Sequence, residues 1–475
     1  MTINSAMLCD FYELTMANGY LKTGLNQKNT YFDVFFRRVP DNGGFAIAAG
    51  LEQIIEHVEN LKFTAEDIEY LRNKKIFDKE FLKFLENFKF SGDIYAVPEG
   101  TPVFPNEPLL TIRAPAIEAQ LLETFTLLTI NHQSLIATKA NRIVRAAQGR
   151  TVLEFGARRS HGISSALNGA RAAFIGGCNG TSCTLTDQLY GVPAGGTMAH
   201  AWVQMFDSEY DAFKAYCEIY PNNTILLADT YNTLKSGVPN AIRAFKEILI
   251  PKGIKDFAIR LDSGDIAYLS KKARKMLDDA GLRECKIIAS SSLDEYLIRD
   301  LINQGAMVDI FGVGERLITS KSEPVFGGVY KLVALEENGE IVPKIKRSEN
   351  LSKIPNPHFK KVYRLFDRES GMALADQLCV YDETIDDSKE LTIFDPNATW
   401  KTKTLTNFTA HELLLPVFKG GKRVYTTPPI AEIRDYCTRQ VGLLWDEVKR
   451  FEYPHMYYVD LSRKLWDIKQ GLLVK

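Results

Sequence analysis

The stretch FAIRLDSGDIAYLSKKARKMLDDAGLRECKIIAS, residues 257–290, reads as a strand, a helix and a second strand in succession. An apolar run ends at Leu261 and gives way to Asp262, Ser263, Gly264 and Asp265. Beyond them Ile266, Leu269, Ala273, Met276 and Leu277 keep the 3–4 spacing of a helix that buries one face, and Gly281 supplies a C-terminal stop. The second run then ends at Ser290. Strands that are apolar throughout, rather than alternating, belong to parallel sheets covered by helices.

The same unit recurs on both sides. TVLEF precedes Gly156, TILLA precedes Asp229, and MVDIF precedes Gly312. Ser292 and Glu295 stand at capping-box spacing before YLIRDLINQG. Repetition of this kind predicts an α/β barrel or part of one; an open doubly wound sheet reads similarly. The repeating texture fills residues 136–335. Before it, residues 1–135 mix helix-like stretches (TAEDIEYLRNKKIFDKEFLKFLENF) with the Pro-punctuated SGDIYAVPEGTPVFPNEPLLTIRAP, which reads as strands and tight turns. After it, residues 336–475 break into strand-like pieces (KVYRLF, QLCVYDE) and a helical tail rich in Trp and Tyr. The lysines of VPKIKRSE and HFKKVYR are most simply a solvated face.

Composition narrows the function classes. The 475 residues are 45% hydrophobic and 25% charged, with a formal net charge of -1. That balance recruits neither nucleic acid nor an anionic membrane. No apolar run approaches the ~18 residues of a membrane helix. Asp10 and Glu13 stand where a signal peptide would be basic and then apolar. Seven cysteines form no CxxC, and Cys178 and Cys183 lack a histidine at zinc spacing. Reduced thiols and a cytoplasmic location are expected.

In a parallel barrel, chemistry gathers at the carboxyl ends of the strands. The residues there are Glu154, Phe155, Arg158 and Arg159; Asn179, Thr181 and Ser182; Asp229 and Thr230; Arg260, Asp262, Ser263 and Asp265; and Gly312 and Gly314. Arginine offers a rigid fork for carboxylate or phosphate. Neighbouring acids suit hydrated Mg²⁺. Glycines after a strand let backbone N–H groups approach a phosphate. The set points to a phosphorylated, anionic ligand bound with Mg²⁺. Each residue also has a plain structural reading. Arg260 can simply pair with Asp262 or Asp265, Asp229 can cap the next helix, Phe155 can be core, and Gly312-Val313-Gly314 can be a tight turn. The chain contains no GxxxxGK[ST] phosphate loop. His200 lies in the longest loop region of the barrel zone between Ala199 and Ala201, where a neutral imidazole would be accessible as a nucleophile toward phosphorus.

In this order DFYELTM, EFGARRSHG, GGCNGTS, GTMAHAW, LLADTYNT, RLDSGD and FGVGERL resemble nicotinate phosphoribosyltransferases. The tail segments LLPVFKGGKRVY and LLWDEVKRFEYPHMYYVDLSRKLW resemble the same family, so the likeness spans nearly the whole chain. The resemblance implies the type II phosphoribosyltransferase fold: an incomplete (β/α) barrel, with a smaller α+β domain built from the N-terminal region and a C-terminal extension. It implies a homodimer with shared sites, located in the cytoplasm. The implied reaction joins nicotinate and phosphoribosyl pyrophosphate into nicotinate mononucleotide with release of pyrophosphate. This C–N bond-forming ligase chemistry is coupled to ATP hydrolysis, requires Mg²⁺ and begins NAD salvage from nicotinate.

By the same resemblance His200 becomes phosphohistidine and Asp229 orients it. Phe155 and a partner subunit's Tyr12 sandwich the pyridine ring. Arg260, Ser182 and Arg158 meet the carboxylate or the 5′-phosphate. Asp262 and Asp265 hold ribose hydroxyls or hydrated Mg²⁺, and Gly312 and Gly314 cradle the phosphate. Nicotinamide phosphoribosyltransferase is the nearest alternative; it carries an aspartate where this chain has Ser182, and an aspartate would repel a carboxylate. Quinolinate and type I phosphoribosyltransferases fit less well, the first lacking the histidine loop and the second needing a strand-borne acidic pair absent here. A silent binding protein on the same scaffold would be expected to have lost His200 or Asp262.

Overall fold

The computed structural model describes residues 5–474. It divides into two compact units, one formed by residues 139–324 and the other by the segments before and after it.

The unit 139–324 carries six parallel strands: β1 (Thr151–Glu154), β2 (Gly180–Thr181), β3 (Thr224–Leu227), β4 (Phe257–Leu261), β5 (Lys286–Ser290) and β6 (Ile310–Val313). Their order across the sheet is β2-β1-β6-β5-β4-β3. Among the described residues the end strands β2 and β3 pair with no common neighbour, so the barrel is incomplete. Helices α1 (Ile163–Ile175), α2 (Thr184–Tyr190), α3 (His200–Gln204), α4 (Glu209–Ile219), α5 (Val238–Ala244), α6 (Ile266–Asp279) and α7 (Glu295–Asn303) connect the strands. The strands are apolar because both faces are covered. Leu226, Ile259, Leu261, Ile287 and Phe311 are all 1% exposed or less, and each such side chain contributes roughly 1.5–3 kcal/mol.

Sequence reading placed β1, β3, β4 and β5 to within a residue. β6 begins three residues later than MVDIF suggests. The backbone N–H of Ile287 donates to the Asp309 carboxylate, Asp309 N donates to the Ile287 carbonyl, and Val308 offers its carbonyl to Arg150 Nε, so side-chain bonds occupy this segment ahead of the regular ladder. Helix α6 has the predicted face, with Ile266, Ala273 and Leu277 buried and Gly281 at φ +81°. Helix α7 is capped differently from the capping-box expectation. Asp294 is its N-cap and accepts from Leu297 N at 2.8 Å, while Glu295 is buried against Lys139 and Arg142. That start leaves Ser291 and Ser292 outside the helix, at φ +102° and +49°.

The other unit is built on a seven-stranded antiparallel sheet in which Asn29–Phe35 lies between Val329–Glu337 and the central strand Leu110–Pro115. The Pro-punctuated segment supplies Asp93–Ala96, Pro102–Val103 and Leu110–Pro115, and the acidic-basic stretch forms helices Ala65–Asn73 and Lys79–Glu86. A four-stranded sheet contains Lys360–Asp367 and Ala373–Val380. The pairing of Val329–Glu337 with Asn29–Phe35 puts the end of the barrel unit at residue 324, where the sequence reading placed it at 335. All seven cysteines are free thiols. Among the described residues no helix is long and apolar enough to cross a membrane.

Candidate active site

Strand register aligns the chemistry. Glu154 of β1 is level with Thr181 of β2 and Val313 of β6, Gly312 with Ser290, and Arg260 with Leu227. Residues just past these rows line one open cleft of about 860 Å³. Phe155, Arg158, Arg159, Ser182, Arg260, Asp262, Gly312 and Gly314 from the strand ends line it together with His200, while Glu154, Asn179, Thr181, Asp229, Thr230, Ser263 and Asp265 do not.

Arg260 is the best-anchored group. Its Nε donates to Ser290 Oγ at 2.9 Å, Nη1 to Thr197 Oγ1 at 3.1 Å, and Nη2 to Asp262 Oδ1 at 2.9 Å. Ser290 Oγ in turn donates to Asp262 Oδ1. The salt bridge that the plain structural reading foresaw is therefore present, yet it does not exhaust the side chain. Of five guanidinium N–H groups, three are used, and one on each terminal nitrogen remains. The guanidinium carbon lies 5.7 Å from the centre of the Phe155 ring. Phe155 is half-buried rather than core. A Cβ on Gly312 would come within 2.6 Å of two of its ring carbons. Gly312 is thus needed first by Phe155, a reason different from the phosphate approach expected of it. Gly314 precedes the short helix Glu315–Ile318, and a Cβ there would sit 3.1 Å from the Phe155 carbonyl.

His200 is the first residue of α3, with its side chain 40% exposed. Its Nδ1 lies 3.1 Å from Thr230 Oγ1, and its Nε2 lies 3.9 Å from Asp262 Oδ2. The expected orienting contact from Asp229 is taken by the next residue. Asp229 Oδ2 accepts the backbone N–H of Asp262 at 3.0 Å and the Ser263 hydroxyl at 2.5 Å, so this carboxylate shapes the loop after β4. It is not a helix cap either; the Asn232 side chain caps the next turn. Cβ atoms on Gly195 or Gly196 would meet nothing within 4 Å. Gly195 and Gly196 therefore leave the start of the loop open, while Met198 within it is buried.

The remaining predicted residues are less central. Arg158 and Arg159 are exposed and form no ion pair among the described residues. Ser182 is exposed, and its N–H donates to the Glu154 carbonyl at 2.9 Å. Glu154 itself is buried, which raises its carboxyl above the usual range; it accepts from Thr181 Oγ1 at 2.7 Å and from Gly156 N, tying β1 to β2. Asp265 stands outside the cleft lining, exposed, and accepts Tyr268 N at 2.8 Å as the N-cap of α6. Tyr12 belongs to the other unit, where it is 44% exposed on helix Phe11–Lys22.

Sequence reading missed Ser290, Thr197 and the cleft-lining Ser291 and Ser292. The serine run after β5 was the available signal. Their left-handed backbone is costly for residues with a Cβ and is typical of sites that fix a ligand.

No cluster of three or more His, Cys, Asp and Glu side chains converges on a metal position among the described residues. Mg²⁺ does not require one, because it keeps several waters and uses one or two carboxylates with substrate phosphates. Asp262 faces the cleft, and the buried Asp229 Oδ1 has no hydrogen-bond partner in the structure. This donor set fits a hydrated cation better than Asp265 does.

An incomplete parallel barrel with arginines, an aromatic ring and an accessible histidine at its strand ends defines a phosphoribosyltransferase-like enzyme scaffold. Family models for the nicotinate phosphoribosyltransferase N-terminal domain, family region and C-terminal domain match residues 7–131, 151–354 and 359–469. The chain is 46% identical to nicotinate phosphoribosyltransferase of Bacillus subtilis over 97% of this chain and 93% of that one. Human nicotinic acid phosphoribosyltransferase superposes with a TM-score of 0.85 at 28% identity, covering 98% and 99% of the two chains. Nicotinate-nucleotide pyrophosphorylase of Pyrococcus furiosus follows at 0.70 and 26%, covering 92% and 95%. The chain belongs to the nicotinate phosphoribosyltransferase family.

Proposed function

We propose that this chain transfers the phosphoribosyl group of phosphoribosyl pyrophosphate to nicotinate, releasing pyrophosphate and forming nicotinate mononucleotide. The observation that carries the reading is Arg260, which is fixed on three sides and has one N–H left on each terminal nitrogen. Two donors match the two oxygens of a carboxylate. Phe155 lies beside them as a face for a flat ring, and Tyr12 of a second subunit would cover the other face in a homodimer. Ser182 is neutral, which suits an acid better than an amide. Arg158 and the backbone beside Gly314 are the groups for the 5′-phosphate. The transfer displaces pyrophosphate at C1 of the ribose while positive charge develops on the sugar. The chain's part is to position the reactants and balance their charge.

Asp262, with Asp229 behind it, would hold Mg²⁺ through water, and the ion would neutralise pyrophosphate charge. ATP enters through His200. An imidazole nitrogen attacks the γ-phosphorus, the bond to the bridging oxygen breaks, and ADP leaves; water later takes the phosphoryl group. The charge appears beside Asp262, the residue that faces Nε2, so it can change how pyrophosphate and its cation bind. A cytoplasmic place in NAD salvage accords with this chemistry. His200→Ala should abolish ATP stimulation of turnover while slow ATP-independent transfer persists. Full ATP stimulation in that variant would remove the phosphohistidine from the account.

A further inference from the structure

Arg260 is joined to the loop that bears His200. Residues 195–199 lie in no helix or strand, and the glycines at their start are unpacked. Within this loop Thr197 Oγ1 accepts from Arg260 Nη1 at 3.1 Å and donates its proton to the Met198 carbonyl at 3.1 Å. Two residues past Met198, His200 opens α3. One hydroxyl therefore links a guanidinium on β4 to the backbone that sets the position of the histidine. The same guanidinium reaches His200 from its other side, since Nη2 donates to Asp262 and the second oxygen of that carboxylate is 3.9 Å from His200 Nε2.

We propose that Thr197 is a positioning residue that couples carboxylate binding at Arg260 to the placement of His200. The inference rests on the reading of Arg260 as carboxylate anchor and His200 as phosphoryl acceptor. The guanidinium is planar and rigid, so a carboxylate settling on its two remaining N–H groups cannot shift one terminal nitrogen without the other. Thr197 and Asp262 move together, and the histidine lies between the groups they control. Met198 is buried and Gly195 N donates to the Thr181 carbonyl at 2.8 Å, so the loop is held at those two points, and the two bonds of Thr197 fix its polar side toward Arg260.

The test compares Thr197→Val, which keeps the shape and removes the hydroxyl, with Thr197→Ser, which restores it, after thermal melts show both folded. Thr197→Val should raise the nicotinate KM about 10-fold, as expected for a lost hydrogen bond to a charged group, and change the phosphoribosyl pyrophosphate KM less than about two-fold. Acid-labile phosphate on the protein after incubation with γ-labelled ATP should change on adding nicotinate to wild type. It should not change in Thr197→Val, and Thr197→Ser should behave as wild type. A wild-type nicotinate KM in Thr197→Val overturns the tether. A label that responds equally to nicotinate in wild type and Thr197→Val overturns the coupling. Absence of label on wild type overturns the phosphohistidine reading and the coupling with it, while the KM comparison still decides whether Thr197 serves Arg260.

Discussion

Replacing Gly312 by alanine puts the ring argument to a quantitative test. The added Cβ would sit 2.6 Å from two carbons of the Phe155 ring, some 0.8 Å inside the 3.4 Å at which ordinary contact begins. Gly312 is paired within β6, between Ser290 and Leu153, and cannot retreat. Phe155 can, because it stands at the strand end with an open cleft beside it. The ring should therefore swing into the cleft. Global stability should fall by only about 1 kcal/mol, the low end for overpacking. If the ring faces the pyridine as proposed, displacing it by nearly an ångström is costlier for function, and kcat/KM for nicotinate should fall roughly 30-fold, within the range for such misplacement. Steady-state kinetics and thermal melts on Gly312→Ala measure both. In a Phe155→Ala background the same substitution should cost little further, because the clashing partner is gone. Unchanged kcat/KM in the single variant, or an undiminished penalty in the double variant, would refute the reasoning.

Two further perturbations follow. Ser182→Asp places an anion in the cleft and should lower nicotinate kcat/KM roughly 100-fold by like-charge repulsion while leaving ATP hydrolysis nearly intact; unaltered nicotinate kinetics would show that Ser182 does not discriminate acid from amide. Glu13 is fully buried, and burial lifts its carboxyl from an ordinary 4.5 to about 7. The folded state then holds the proton more tightly than the unfolded chain, so its stability declines as pH rises from 4.5 to 7, by up to roughly 3 kcal/mol. Gln keeps the oxygen that accepts from Thr124 N and carries no charge. The melting temperature of Glu13→Gln relative to wild type should accordingly rise between pH 5 and pH 8, and a constant difference would contradict the linkage.

Five of the six barrel strands were legible because they are apolar runs that stop at a polar or glycine residue, a pattern set by burial, whereas β2, only Gly180 and Thr181, carries no such run. The cleft was legible for the same reason: residues one step past those stops share a rim. What stayed hidden depends on backbone direction and on competition among neighbours. Asp229 and Thr230 are adjacent, and only the loop after β4, which offers Asp262 N and Ser263 Oγ to the carboxylate, leaves the threonine for His200. Asp265 looks like a cleft acid until α6 begins one residue later and takes it as a cap. Gly312 looks like a phosphate glycine until the Phe155 ring is placed beside it. Thr197 carries no pattern at all, since its partner Arg260 is remote in sequence and meets it only through the fold.

Pyrophosphate release from phosphoribosyl pyrophosphate, followed with nicotinate or nicotinamide as acceptor and with or without ATP, tests the central claim most directly. The account predicts release with nicotinate that ATP increases, and a rate at least about 100-fold lower with nicotinamide, as a lost bidentate carboxylate pair requires. Equal or faster release with nicotinamide would contradict it.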